Sequence, residues 1–260
     1  DVAPHVLVMT ATPIPRTLAM TAYGDLDVSV IDELPPNRKE VVTIHKYDKD
    51  MSHVLKFLYA ELEKRKQVYI VYPLIEESKV LDYKNLLAGY DYLKDIFHER
   101  GFKISMVHGR LKKDDKEKEM TRFLNKETHI MVATTVVEVG VNVPNATIMV
   151  IQNAEKFGLS QLHQLRGRVG RGADKSYCFL MTSNKLTNDA KVRLKAMVDS
   201  SDGFNIAEID LKLRGPGDIL GTRQSGLINF KLASIVKDHK ILTLARLAAG
   251  EILKQDFELS

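Results

Sequence analysis

Seven short apolar runs constrain this chain most: HVLVMT, VVTIHKY, VYIVY, KISMV, HIMVA, TIMVIQ and SYCFLMT. They are rich in β-branched residues, and most are apolar without a clean polar alternation. Such runs suit strands of a parallel sheet whose two faces are both covered. Helical spacing fills the gaps. Met51, Val54, Leu55, Leu58 and Leu62 form one stripe, and Tyr83, Leu86, Leu87, Tyr90, Leu93, Ile96 and Phe97 a second, with Gly101 placed to end it. Asp114 and Glu117 have capping-box spacing ahead of Met120, Phe123 and Leu124. Strand and helix alternate from about Glu40 to Thr182, which predicts a doubly wound α/β sheet. Beyond Thr182 the pattern turns helical. Two helices are expected over NKLTNDAKVRLKAMVDSSDG and FNIAEIDLKLRG, then a glycine-rich loop, then a helical tail.

Length and composition agree with that plan. The 260 residues are 44% hydrophobic and 28% charged, enough to bury a core in one or two domains. The formal charge of +4 permits nucleic-acid binding without requiring it. A lone cysteine, Cys178, cannot form an internal disulfide, and its apolar run marks it as a buried strand residue of a protein from a reducing cytoplasm. No apolar run is long enough to span a membrane. The opening DVAPHVLVMTATP reads as a strand already under way, as expected of a piece of something longer.

The chemistry concentrates in QLHQLRGRVGRG. Arg166 to Gly172 holds three arginines and three glycines in seven positions. Guanidinium forks suit phosphate oxygens, and glycines let a backbone approach a ligand closely. Ser160 is expected to cap a helix burying Leu162, Leu165 and Val169, with Gln164, Arg168 and Arg171 spaced by four and three along another face. Gly167 and Gly170 each disfavour helix by about 1 kcal/mol, so a close neighbour or a helix end near Gly170 is expected.

Four other stretches carry candidate polar groups, three of them at strand ends. In VATTVVEVGVNVP a strand ends at Thr134 and Thr135, and Gly140 precedes a turn; in MVHGRLKK, His108, Gly109 and Arg110 follow a strand, with Lys112 and Lys113 behind. Both are carboxyl ends, where open α/β sheets bind ligands. The partner expected at Arg110 is a sugar-phosphate backbone. Thr10 and Thr12 end the first strand before Pro13 and Pro15, and LRGPGDILGTRQSG crowds Arg214, Asp218, Arg223 and Gln224 among glycines. No GxxxxGK[ST] loop, HExxH, paired CxxC or GxSxG occurs in the sequence.

In this order TATPIPRT, VYPLIEES, VHGR, ATTVVEVGVNVP and QLHQLRGRVGRG resemble motifs III to VI of the superfamily-two helicases. RGPGDILGTRQSG resembles the translocation motif shared by the RecG and Mfd families, and its RGPGD and GTRQSG wording favours RecG over Mfd. The resemblance implies the end of a first RecA-like lobe and a linker over 1–34, and a second lobe over 35–184. It further implies a helical hairpin with the translocation loop over 185–226 and a helical tail over 227–260. A Walker A loop and a DExx box would lie in the remainder of lobe one, with a fork-splitting wedge domain before it.

The same resemblance implies roles residue by residue. Arg168 and Arg171 match the arginines that reach the γ-phosphate of ATP, Arg171 as the finger, with Gln164 linking nucleotide to moving parts. Asn142, in the turn that Gly140 opens, matches a position near the ribose, where the family often has Asp. Thr10 and Thr12 match residues that couple lobe closure to hydrolysis. Thr134 matches a contact to a DNA phosphate, and Arg110 and Arg223 fall on the nucleic-acid side. Arg193, Arg214 and Gln224 match translocation-motif positions. Implied for the whole protein are ATP with Mg2+, held mainly by the first lobe, and forked or branched duplex DNA. So are a monomeric motor acting with replication-fork proteins, no membrane, and a place in the bacterial cytoplasm at the nucleoid. A non-catalytic nucleic-acid-binding piece is the alternative from another class.

Overall fold

In the computed structural model, residues 39–73, 79–134, 143–214 and 239–255 are described, with Leu7, Ser29 and Ile31 singly; at 79–84, 214, 239, 240, 242, 243 and 246 this extends to the backbone alone. The run HVLVMT, apart from Leu7, and the residues Thr10, Thr12, Gly140, Asn142, Arg223 and Gln224 fall outside the described residues. Residues 33–201 form one compact unit, and 1–32 with 202–260 form another.

Six strands build the first unit: β1 (Val41–Tyr47), β2 (Gln67–Tyr72), β3 (Ile104–Val107), β4 (Ile130–Thr134), β5 (Ala146–Ile151) and β6 (Ser176–Thr182). They pair in the order β1-β6-β5-β2-β4-β3, every pair parallel. The predicted fold class is therefore present, and each continuous apolar run from VVTIHKY onward became a strand. Every residue of β4 and of β5 is buried, as two covered faces require.

One face carries α1 (Met51–Glu63) and α2 (Lys79–His98), whose Val54, Leu55, Leu58, Leu62, Leu86, Leu93 and Phe97 pack in one core with Val68, Ile70, Ile130, Val132, Ile148 and Val150. Strand residues between these point the other way. There Tyr69 meets Phe123 of α3 (Lys113–Leu124), ring centres 4.9 Å apart. The unit is completed by α4 (Leu159–Arg166) and α5 (Asn188–Asp199), the latter packing on β1 and α4 through buried Ala190, Leu194 and Met197. Cys178 is fully buried, and burial pushes its thiol up to about 12.

The helix ends show which local signals operate. Gly101 closes α2 at φ +78°, with Gly101 N donating to His98 O and Phe102 N to Phe97 O, a Schellman arrangement. Two expected caps are absent. The Asp114 box fails because α3 starts two residues earlier than that box requires, with Lys112 as N-cap: Lys112 O already accepts from Lys116 N at 3.0 Å, and Asp114 and Asp115 lie in the first turn, where they complement the helix dipole. Ser160 lies inside α4, and the back-bond is made by Gln161, whose Oε1 accepts from Gly158 N at 3.0 Å.

In the second unit, α6 (Gly203–Arg214) is capped by Asp202, whose Oδ1 accepts from Phe204 N at 2.8 Å, and it buries Ile206 and Leu211. α7 (His239–Gln255) supplies the expected tail helix. No helix among the described residues is long and apolar enough to cross a membrane.

Candidate functional site

The parallel sheet has two edges, and the chemistry divides between them. α4 runs back from the carboxyl end of β5 and ends at Arg166, with Gly167 as its C-cap. Arg168 and Arg171 therefore do not share a helical face with Gln164, contrary to the expectation from spacing. They stand on the loop that leads into β6. Glycine is needed there for two separate reasons. Gly170 has φ +76°, and a Cβ on it would lie 2.6 Å from Val41 Cγ2; a Cβ on Gly172 would lie 3.1 Å from Pro144 O. Lys66 Nζ lies 2.5 Å from Asp174 Oδ2. Val41 begins a strand, and Lys66 and Pro144 lie within two residues before one, so the arginine loop lies across the amino edge of the sheet.

On that loop Arg168 is half-buried and Arg171 exposed, with Arg171 Nε 3.4 Å from Gly167 O. Both guanidinium groups act on the phenol of Tyr69. Burial pushes that phenol up to about 12, and the two arginines oppose the shift. Tyr69 marks their shared neighbourhood, which the sequence did not single out. Gln164 is exposed on α4.

The third arginine does a different job. Arg166 is 5% exposed. Its Nη1 donates to Met197 O at 3.0 Å and Ser200 O at 2.7 Å, and its Nη2 to Ser201 O at 3.2 Å. It thereby satisfies carbonyls left over at the C-terminus of α5. Ser201 Oγ donates to Glu40 Oε1 at 2.9 Å, so the end of α5 also lies at the amino edge. Only tertiary structure reveals this role, because no local pattern records what packs over an arginine.

The carboxyl edge carries Thr134 and the His108 turn. Val107 pairs with Ala133, which puts the ends of β3 and β4 side by side as expected. Thr134 is buried, and its Oγ1 finds no hydrogen-bond partner among the described residues. His108 is buried, Arg110 exposed, and Lys112 and Lys113 exposed behind it. With β2 six residues long, the two edges stand about 20 Å apart.

Arg193 lies on α5, where its Nη2 donates to Glu155 O at 2.9 Å, while Arg193 Nε and Glu155 Oε2 are buried without a hydrogen-bond partner among the described residues. Nearby, His45 Nε2 meets Thr182 Oγ1 at 2.8 Å; burial lowers the His45 pKa and Glu155 opposes it. Arg214 is the last residue of α6. Among the described residues, no group of His, Cys, Asp and Glu could hold a metal.

Comparison with known proteins agrees with these motifs. The helicase conserved C-terminal domain matches residues 49–173, and the C-terminal part of domain 3 of the ATP-dependent DNA helicase RecG matches 200–260. The chain is 56% identical over 98% of its length to the RecG of Synechocystis sp., covering 30% of that protein. It is 50% identical over 97% of its length to RecG of Bacillus subtilis, covering 37%. A solved structure of RecG bound to a three-way DNA junction superposes with TM-score 0.70 at 46% identity, over 89% of this chain and 30% of that one. The chain thus spans about a third of the length of the relatives it matches. It belongs to the RecG family of superfamily-two helicases and carries that family's C-terminal helicase domain and the C-terminal part of its domain 3.

Proposed function

We propose that this chain is the C-terminal half of the motor of an ATP-dependent duplex-DNA translocase that remodels stalled forks and migrates branched junctions. The observation that carries the reading is the arginine loop: two phosphate-suited forks on one edge of a sheet, in a sequence without a GxxxxGK[ST] loop. Such a loop is half of a nucleotide site. The other half, with Mg2+ arriving on ATP, belongs to the first lobe, of which 1–34 supply the end. The 185–226 hairpin and loop and the 227–260 tail follow lobe two in this division.

In this account Arg171 meets charge as it develops on the transferred phosphoryl group, an effect worth about 10³ to 10⁵ in rate for arginine fingers. Arg168 neutralises the ground-state phosphate, and Gln164 carries the change to α4. Asn142 and Gly140 lie toward the ribose, and Thr10 and Thr12 report lobe closure. At the opposite edge Thr134 and Arg110 hold a DNA phosphate. Closing one edge on ATP then shifts the other along the strand, and Arg193, Arg214, Arg223 and Gln224 turn that shift into a pull. The motor works as a monomer at replication forks in the bacterial cytoplasm.

The domain 3 match over 200–260 favours RecG-like fork remodelling over Mfd-like displacement of RNA polymerase. The test uses the full-length protein and a labelled three-way junction. The account predicts ATP-dependent unwinding of the junction and no displacement of a stalled polymerase. Polymerase displacement without junction unwinding would overturn it.

A further inference from the structure

The turn after β3 is closed by three contacts. Leu111 N donates to His108 O at 3.2 Å, Arg110 N donates to His108 Nδ1 at 3.2 Å, and Lys116 Nζ reaches Gly109 O at 3.4 Å. The second fixes the chemistry of the ring. An imidazole nitrogen accepts a hydrogen bond only when it carries no proton, so Nδ1 is the bare nitrogen. The arrangement copies an Asx-turn, in which a side-chain acceptor takes the N–H two residues on. Its product is geometric: His108 is 6% exposed, while Arg110 is exposed at the same sheet edge as Thr134.

We propose that His108 is the positioning residue for Arg110: its unprotonated Nδ1 holds the turn that presents the guanidinium to a nucleic-acid phosphate, and protonation of the ring releases that turn. This rests on the reading of the carboxyl edge as the nucleic-acid side. An imidazolium would set N–H against N–H at the Arg110 amide. Among the described residues, the charged groups acting on the ring include Arg110 in its own turn and Lys116 on α3. Burial, then Arg110, then Lys116 hold the ring below the ordinary histidine range. The native turn therefore binds fewer protons than the open one, and its stability falls as pH drops through and below that range.

The experiment measures binding of the full-length protein to a fixed duplex by fluorescence anisotropy, as a function of salt and pH. Each neutralised phosphate contributes about 0.9 to the slope of log K against log salt. Arg110→Ala removes about that much slope at pH 7.5. His108→Ala does the same, and His108→Asn restores it, because the Asn oxygen accepts the same N–H without titrating. In wild type the increment disappears on acidification, whereas in His108→Asn it persists. Full slope in His108→Ala would overturn the proposal. So would an Asn variant no better than Ala, or a wild type that binds more tightly in acid with its slope intact, as added positive charge alone would produce. An unchanged slope in Arg110→Ala would instead remove the carboxyl-edge reading, and the proposal with it.

Discussion

The guanidinium of Arg166 donates to the backbone carbonyl of Ser200 at 2.7 Å, joining the residue before the arginine loop to the end of α5. Arg166→Met would leave the buried Met197 carbonyl without this donor, while the carbonyls of half-buried Ser200 and exposed Ser201 can turn to water. A buried polar group left unpaired costs about 1–3 kcal/mol, so a loss of about that size is expected in urea unfolding. Arg166→Lys would recover only part, since an ammonium cannot reproduce the planar fork. Met at wild-type stability would show that the Met197 carbonyl finds another donor.

Two glycines with positive φ separate strain from crowding. Gly101 (φ +78°) has nothing within 4 Å of an added Cβ, so Gly101→Ala carries the backbone penalty alone, about 1–2 kcal/mol. Gly170 (φ +76°) carries the same penalty plus the clash with Val41, which adds about 1–3 kcal/mol. Thermal unfolding of the two variants checks the order. Gly170→Ala should also lower ATP turnover of the full-length protein, because it shifts Arg171, whereas Gly101→Ala should not.

Cys178 is predicted to be inert in the folded state. With its thiol pushed up to about 12, almost no thiolate exists at pH 8. Labelling by a disulfide reagent should be slow natively and complete in urea. Fast native labelling would mean that β6 opens readily.

The framework was legible because apolar runs and 3.6-residue stripes record burial directly: VVTIHKY, HIMVA and the Met51–Leu62 stripe all became the elements expected. Helix ends were less legible. The spacing of Gln164, Arg168 and Arg171 suggested one face, but a periodicity argument holds only while the helix continues, and this one stops at Gly167. Ser160 and Asp114 had the chemistry of caps without the position. The division of the site between two sheet edges depends on chain direction, which no local pattern records. Sequence set Arg168 and Arg171 apart by spacing and resemblance, but it could not show that Arg166 is used internally, since burial of an arginine is set by what packs over it.

The translocation loop gives a prediction from its resemblance, Gln224 lying outside the described residues. Gln224→Ala in the full-length protein should leave DNA-stimulated ATPase measurable and impair junction unwinding. If both fall together, the loop is not a separate transducer.

The central claim is that this chain supplies the arginine half of an ATP site. It is tested most directly by Arg171→Ala in the full-length protein, with DNA-stimulated ATP hydrolysis and junction binding measured on the same preparation. The account predicts a loss of about 10³-fold or more in turnover, with binding largely intact. Turnover equal to wild type would contradict it.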